Sequence, residues 1–179
     1  MDNLNAFYGA FSPACFALLG LWLVAVTLRL DEWQKDSYPL HKRHSYGVAL
    51  HFALPGVMSA LALIDVKTSA FWRVSFFVVA LSGAGVMAAM RGYPVRPDSG
   101  HRGFRGLPRA DQLGLAAYVA AIVLYILIGA LAVVGGLRAL RAEAVLLTVL
   151  VFLGFNVAWL LLLDERMEPS DSGPSAPTE

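Results

Sequence analysis

The sequence predicts an all-α integral membrane protein, a single bundle of five transmembrane helices. Of the 179 residues, 58% are hydrophobic and only 15% are charged. Soluble domains are usually about 45–50% apolar and about 25% charged. The apolar residues also gather into long runs, and the basic residues concentrate between alternate runs. The composition therefore excludes an ordinary water-soluble domain.

Each apolar run is long enough to cross a bilayer, since a helix needs about 20 residues to span about 30 Å of hydrocarbon. The predicted spans cover residues 7–28, 45–64, 70–90, 113–134 and 143–163. Together they predict one transmembrane domain over residues 1–166. Residues 167–179 are rich in proline, serine and acidic residues, and we expect them to form a disordered cytoplasmic tail.

The distribution of lysine and arginine predicts the orientation, because cytoplasmic loops are enriched in these residues. Ten of the 14 basic residues are Arg166 and those in segments 29–44 and 91–112. The other four are Lys67, Arg73, Arg138 and Arg141. We therefore expect a multi-pass protein of the plasma (inner) membrane, with its N-terminus outside the cell and its C-terminus in the cytoplasm.

Polar residues inside the predicted spans are the candidate functional residues, because hydrocarbon makes them costly. His51 and the pair Pro55–Gly56 lie near the middle of the second run, Ser82 lies in the third and Asn156 in the fifth. At about 1.5 Å per residue, His51, Ser82 and Asn156 all fall within about 5 Å of the midplane on the cytoplasmic side. This predicts one shared polar layer.

Helical periodicity places His44, His51, Pro55 and Asp65 on one stripe of the second span. Pro55 lacks the amide that would bond to the carbonyl of His51. A free carbonyl beside an imidazole suits a proton or a cation. The alternative is a kinked helix in which Asn156 or a serine satisfies His51.

Glycines suited to close helix packing occur in three spans. They are Gly9 and Gly20 in the first, Gly85 in the third, and Gly129 and Gly136 in the fourth. Packing within one bundle and packing between copies of the chain both remain open. Self-association is expected.

The loop at 91–112 is rich in arginine, glycine and proline. Its arginines act as a topology determinant or contact anionic lipid headgroups. They are Arg91, Arg96, Arg102, Arg105 and Arg109. Nucleic acid is not an expected partner, because a short arginine loop is not a reading module.

Neither a cofactor, a metal nor an enzymatic activity is expected from the sequence. No set of catalytic side chains converges, and Cys15 has no second cysteine to pair with. His44 and His51 lie about 10 Å apart along a helix, too far for one zinc ion. A haem shared by His51 from two copies of the chain stays open.

The sequence thus favours a small multi-pass membrane protein with a channel- or transport-type role. The polar path or gate would comprise His51, Pro55, Gly56, Ser82, Asn156 and Asp65. The alternative is a non-conducting accessory or sensor protein that acts through lipid or protein contacts.

Overall fold

A computed structural model of the chain describes residues 2–28, 39–64, 69–92 and 109–164. Within these ranges the fold consists of α-helices, with a short turn at residues 135–136 between the last two. The helices are α1 (Asp2–Leu28), α2 (Pro39–Ile64), α3 (Ser69–Gly92), α4 (Arg109–Val134) and α5 (Leu137–Asp164). In the described residues, five helices are long and apolar enough to cross a membrane, which confirms the predicted number of candidate spans.

Two helices begin six residues before their predicted spans: α2 begins at Pro39 rather than at 45, and α5 begins at Leu137 rather than at 143. Gly135 and Gly136 adopt positive φ angles of 72° and 91°, which glycine tolerates without steric strain. They make a short turn between α4 and α5. Gly136 therefore serves this turn, and a Cβ placed on it would meet no atom within 4 Å. One consequence is that Glu143 lies inside α5.

Helix α2 occupies the centre of the bundle. It packs extensively against α1 and α5 and also contacts α3 and, more weakly, α4. The pairs α3–α4 and α4–α5 complete a ring with α2, while α1 lies outside this ring against α2. Half of the apolar window of α2 is buried, against 17% for α1. Side chains on α2 are therefore best placed to form an interior site.

The interior contains two clusters of apolar side chains. The larger one joins Tyr8 and Met58 to Phe76, Tyr125 and Leu147. The smaller one, near the other end of α1, includes Trp22, Phe52 and Val157. Many large apolar side chains also point outward from the described helices. An apolar outer surface suits contact with lipid, where no solvent-facing polar side is needed.

Glycine permits close contact at particular points between helices. A Cβ on Gly154 of α5 would clash with the Cβ of His51 on α2. A Cβ on Gly83 of α3 would lie 2.9 Å from the Tyr125 ring of α4. Glycine at these positions lets the neighbouring helix or ring approach closely. Gly129, a predicted packing residue, is buried, and a Cβ on it would make ordinary contacts with Ala80 and Phe77 of α3.

The other predicted packing glycines make no close contact within the chain. No atom lies within 4 Å of the position where a Cβ would stand on Gly9, Gly20 or Gly85. All three are exposed on the outside of the bundle. Packing within one bundle therefore does not use them, and their use between two copies stays a prediction.

Arg73 ties α3 to the end of α4. Its Nε donates a hydrogen bond to the Ala132 carbonyl at 2.9 Å, and its terminal nitrogen donates another to the Val133 carbonyl. The last carbonyls of a helix have no partner within that helix, so a cation there is favourable. A Cβ on Gly135 would lie 2.9 Å from Arg73 Nε, so this turn also needs glycine to admit the guanidinium.

The glycine at the α2–α5 contact should be essential for stability. We expect Gly154→Ala to lower the free energy of unfolding by about 1–3 kcal/mol, because its methyl group must displace the backbone of α2. Gly85→Ala is the matched control, since open space surrounds Gly85 and alanine favours helix by up to about 1 kcal/mol. The measurement is unfolding in detergent micelles. Equal stability of the two variants would contradict the described contact.

Candidate functional site

The interior of the bundle holds several polar side chains that the sequence places within apolar helices. Here, the N-terminal face denotes the end of the bundle where α1 begins, and the opposite face the end where α1 finishes. The buried polar and charged residues include Ser12, His44, Ser45, His51, Ser59 and Glu143. Polar groups buried in hydrocarbon are functional candidates by default.

His51 lies at the centre of this set, and its side chain is only 2% exposed. Its Nδ1 is 2.5 Å from the Gly47 carbonyl, one turn earlier on α2. Because a carbonyl can only accept, Nδ1 carries the proton of the neutral ring. Nε2 is buried and has no hydrogen-bond partner among the described residues. The imidazole therefore presents one free nitrogen that can accept a proton.

A cluster of aromatic and basic side chains continues from His51 toward the opposite face. The Tyr118 hydroxyl on α4 donates to the Arg43 carbonyl at 2.9 Å. The His44 and Tyr118 rings stack with centroids 5.6 Å apart, and the Arg43 guanidinium carbon is 5.4 Å from the Tyr118 ring centroid. This cluster joins α2 to α4 and places a second imidazole, that of His44, two turns from His51 on α2.

A cavity of about 10 Å³ lies between His51 and this cluster. It is lined by His44, Gly47, His51, Ala117, Tyr118 and Val157. A cavity must offer about 10–15 Å³ on this measure to hold one water molecule. The space beside His51 is therefore at the scale of a single water and too small for a solute.

Pro55 and Gly56 lie one turn beyond His51, and both are buried. Proline has no amide hydrogen, so the His51 carbonyl loses its usual partner within the helix. Helix α1 packs on this point: a Cβ on Gly56 would lie 3.1 Å from the Cys15 side chain. The Ser12 hydroxyl donates to the Gly56 carbonyl at 3.0 Å. Contacts from α1 thus hold the proline-containing segment of α2.

A second polar group lies nearer the N-terminal face. Glu143 on α5 is fully buried, and neither carboxylate oxygen has a hydrogen-bond partner in the described part of the chain. The Tyr8 hydroxyl donates to the Leu140 carbonyl at 3.0 Å, one turn before Glu143. The Ser59 hydroxyl on α2 is also buried without a partner among those residues.

The polar groups are spread over the depth of the bundle. Counted from the middle of each span at about 1.5 Å per residue, His51 lies about 4 Å toward the opposite face, and Tyr125 lies at the middle. Ser59 and Glu143 lie about 8 and 10 Å toward the N-terminal face. Among described residues, the Tyr125 hydroxyl is buried without a partner too.

The three residues of the predicted polar layer, His51, Ser82 and Asn156, do not come together in the structure. His51, Pro55 and Gly56 all face the interior, whereas Ser82 and Asn156 are exposed on the outer surface. Asn156 Nδ2 donates to the Phe152 carbonyl of its own helix at 2.7 Å. Because α5 starts earlier than predicted, Asn156 also lies farther from the middle of its span, about 10 Å toward the opposite face. Neither residue lines the cavity beside His51.

The remaining predicted site residues lie at or beyond the helix ends. Arg91 falls in the last turn of α3, and Arg109 is the first residue of α4. Asp65, Arg96, Arg102 and Arg105 lie outside the described residues. Contact of the arginines with lipid headgroups therefore stays a prediction.

Glu143 and Ser59 are not apparent as site residues from the sequence. The last predicted span begins at Glu143, which places this carboxylate at the end of the span and not inside the bundle. The available signal is the pair Gly135–Gly136, which is typical of a turn and leaves no room for a longer loop. Starting the helix after those glycines places Glu143 two turns inside it.

The donor set favours proton exchange over metal binding. Among the described residues, no group of three or more histidine, cysteine, aspartate or glutamate side chains could hold a metal ion. Imidazole, phenol and carboxyl groups can each gain or lose a proton. No protein-family model, curated protein or solved structure matches the chain.

The buried tyrosines of α4 provide a direct check of this hydrogen-bond assignment. We expect Tyr118→Phe to lower the free energy of unfolding by about 1 kcal/mol, because it removes the bond to the Arg43 carbonyl. The matched change Tyr125→Phe removes a buried hydroxyl that has no partner among the described residues, so stability should hold or increase. Both are measured by unfolding in micelles. A larger loss for Tyr125→Phe would show that its hydroxyl has a partner.

Proposed function

We propose that the protein has a transport-type role in a membrane and that the transported or coupled species is the proton. The observation that supports this most directly is the buried Nε2 of His51, which has no hydrogen-bond partner in the described residues. Unsatisfied polar atoms are costly in hydrocarbon, so a group of this kind needs an explanation. Reversible protonation provides one, because imidazole titrates near neutral pH in water.

The geometry of His51 suits a group that takes up and releases a proton. The Gly47 carbonyl holds Nδ1 and its hydrogen, so a second proton can add only at Nε2. A proton added at Nε2 makes the ring cationic, and release from the same atom restores the neutral form. The ring need not rotate between these two states.

Tight packing favours the proton over larger solutes. The Gly154 backbone of α5 contacts His51 directly, and the neighbouring cavity has a volume of about 10 Å³. A proton moves between donors and acceptors over hydrogen-bond distances and needs no open channel. The buried hydroxyl of Tyr125 and the Glu143 carboxyl extend the set of such groups toward the N-terminal face.

Pro55 and Gly56 are the proposed gate. The missing amide of Pro55 weakens the helix beside His51, and Gly56 lets α1 approach this point. Movement of α1 relative to α2 would break the hydrogen bond from Ser12 to the Gly56 carbonyl. Such a movement would change the access of water to His51 without unfolding either helix.

A second candidate function, a non-conducting accessory protein, is favoured by the outer surface. Asn156 lies exposed on α5 at membrane depth, and Phe155 and Trp159 stack beside it. An amide in hydrocarbon gains from hydrogen bonding to another helix. A partner protein or a second copy of the chain would supply that helix.

Proton flux into vesicles tests the proposal. Full-length protein is reconstituted with a pH-sensitive dye inside, and flux is compared between wild type and His51→Ala from about pH 5 to pH 8. Alanine keeps the Cβ that contacts Gly154, so the α2–α5 contact is retained. We expect wild type to conduct and His51→Ala to fall to the rate of protein-free vesicles.

Asn156→Leu is the matched control, because Asn156 is exposed and does not line the cavity beside His51. Its flux should equal that of wild type. Absence of wild-type flux above protein-free vesicles would remove the transport proposal in favour of the accessory function. Unchanged flux in His51→Ala would remove His51 from the path.

A further inference from the structure

Glu143 is a buried carboxyl group without a compensating charge among the described residues. Its side chain has no exposed surface, and both carboxylate oxygens lack a hydrogen-bond partner in that part of the chain. Arg138 and Arg141 are nearby in sequence, but their side chains are exposed. Around Glu143, the core contains Leu140, Ala144 and Leu147. An ionised carboxylate in such surroundings is strongly disfavoured, and a bound proton removes that charge.

Tyr8 is a polar side chain of α1 whose hydroxyl reaches α5 one turn from Glu143. Its hydroxyl donates to the Leu140 carbonyl at 3.0 Å, and it interacts electrostatically with Glu143. The Leu140 carbonyl also accepts the ordinary α5 backbone bond, so it does not depend on Tyr8. The Tyr8 hydroxyl is therefore able to exchange that acceptor for a Glu143 oxygen one turn away.

We propose that Glu143 is a reversible proton-binding site in the N-terminal-face half of the bundle, with Tyr8 as its hydrogen-bond donor. In the described state the carboxyl holds the proton and Tyr8 donates to Leu140. When the carboxyl O–H bond breaks, its electron pair stays on the carboxylate and the proton leaves to water at the N-terminal face. Tyr8 then donates to the carboxylate.

A proton fits this site better than a metal cation does. Hard cations require about six or more oxygen ligands, supplied by the protein or by water molecules that stay bound to the ion. In the described residues, no group of three histidine, cysteine, aspartate or glutamate side chains surrounds Glu143. A proton needs one oxygen and no cavity.

The titratable and charged groups on the described helices around Glu143 are few. From α1 the group is Tyr8. From α3 it is Arg73, which is bound to carbonyls at the end of α4, and from α4 it is Tyr125. The half of α2 nearest the N-terminal face contributes Ser59, which does not titrate in the physiological range. In the described structure, burial is therefore the main influence on the charge of Glu143.

The inference deepens the proposed function. Only the role of Glu143 in transport rests on that function, whereas proton binding at Glu143 does not. Glu143 and His51 lie on opposite sides of the bundle middle, about 10 Å and about 4 Å from it. A proton path would need a binding group in each half. The site itself can be tested without measuring flux.

Labelling with a hydrophobic carbodiimide tests the site, because this reagent reacts with protonated carboxyl groups within membranes. Full-length protein in lipid vesicles is treated from acidic to alkaline pH, and the peptide containing Glu143 is quantified by mass spectrometry. We expect labelling at low pH that falls as pH rises. In Tyr8→Phe the midpoint should move to higher pH by about one unit, because the carboxylate loses its donor.

Glu143→Gln keeps the shape of the side chain and is the control for the second readout. The infrared carbonyl band of a protonated carboxyl should be present in wild type, diminish on raising the pH, and be missing in Glu143→Gln. If Glu143 shows neither labelling nor a pH-sensitive carbonyl band, the inference is overturned. An unchanged labelling midpoint in Tyr8→Phe would overturn the proposed role of Tyr8. Positive labelling without proton flux would leave the site standing and remove the transport function.

Discussion

The close contact between α2 and α5 at His51 and Gly154 is the constraint on which the rest of the bundle depends. Helix α2 is central, and the absence of a side chain on Gly154 lets α5 reach it. This contact closes the ring of α2, α3, α4 and α5 and buries the imidazole. It also excludes solvent from His51, so the packing of the fold and the chemistry of the site have the same origin.

The number and type of helices could be predicted because spanning length and low charge are strong signals. The side of each helix that faces the interior could not be predicted, because lipid and protein core are both apolar and helical periodicity does not distinguish them. Thus Gly85 and Gly154 look alike in the sequence, yet only Gly154 has a helix against it. His51 stands out in the sequence because it is ionisable, whereas depth alone places Asn156 beside it, and Asn156 faces outward.

Hydrogen-bond accounting separates structural polar groups from candidate functional ones. Ser12, Trp22 and Tyr118 each donate to a carbonyl of α2, and these bonds hold the bundle together. His51 Nε2 and the Glu143 carboxyl have no such partner among the described residues. The first group explains how α1 and α4 are positioned on α2. The second group forms no bond among these residues that holds the helices together, and we therefore propose that its role is to bind protons.

Nitrogen chemical shifts of the His51 side chain test the central claim most directly. Solid-state NMR of the ¹⁵N-histidine-labelled protein in bilayers reports the protonation of each ring nitrogen as the pH is changed on either side of the bilayer. The His51→Ala variant assigns the His51 signals. The account predicts a neutral ring with hydrogen on Nδ1 at high pH, because Gly47 accepts from it. It also predicts protonation of Nε2 on acidification. A ring that stays neutral at every pH, or that carries its hydrogen on Nε2, would contradict the account.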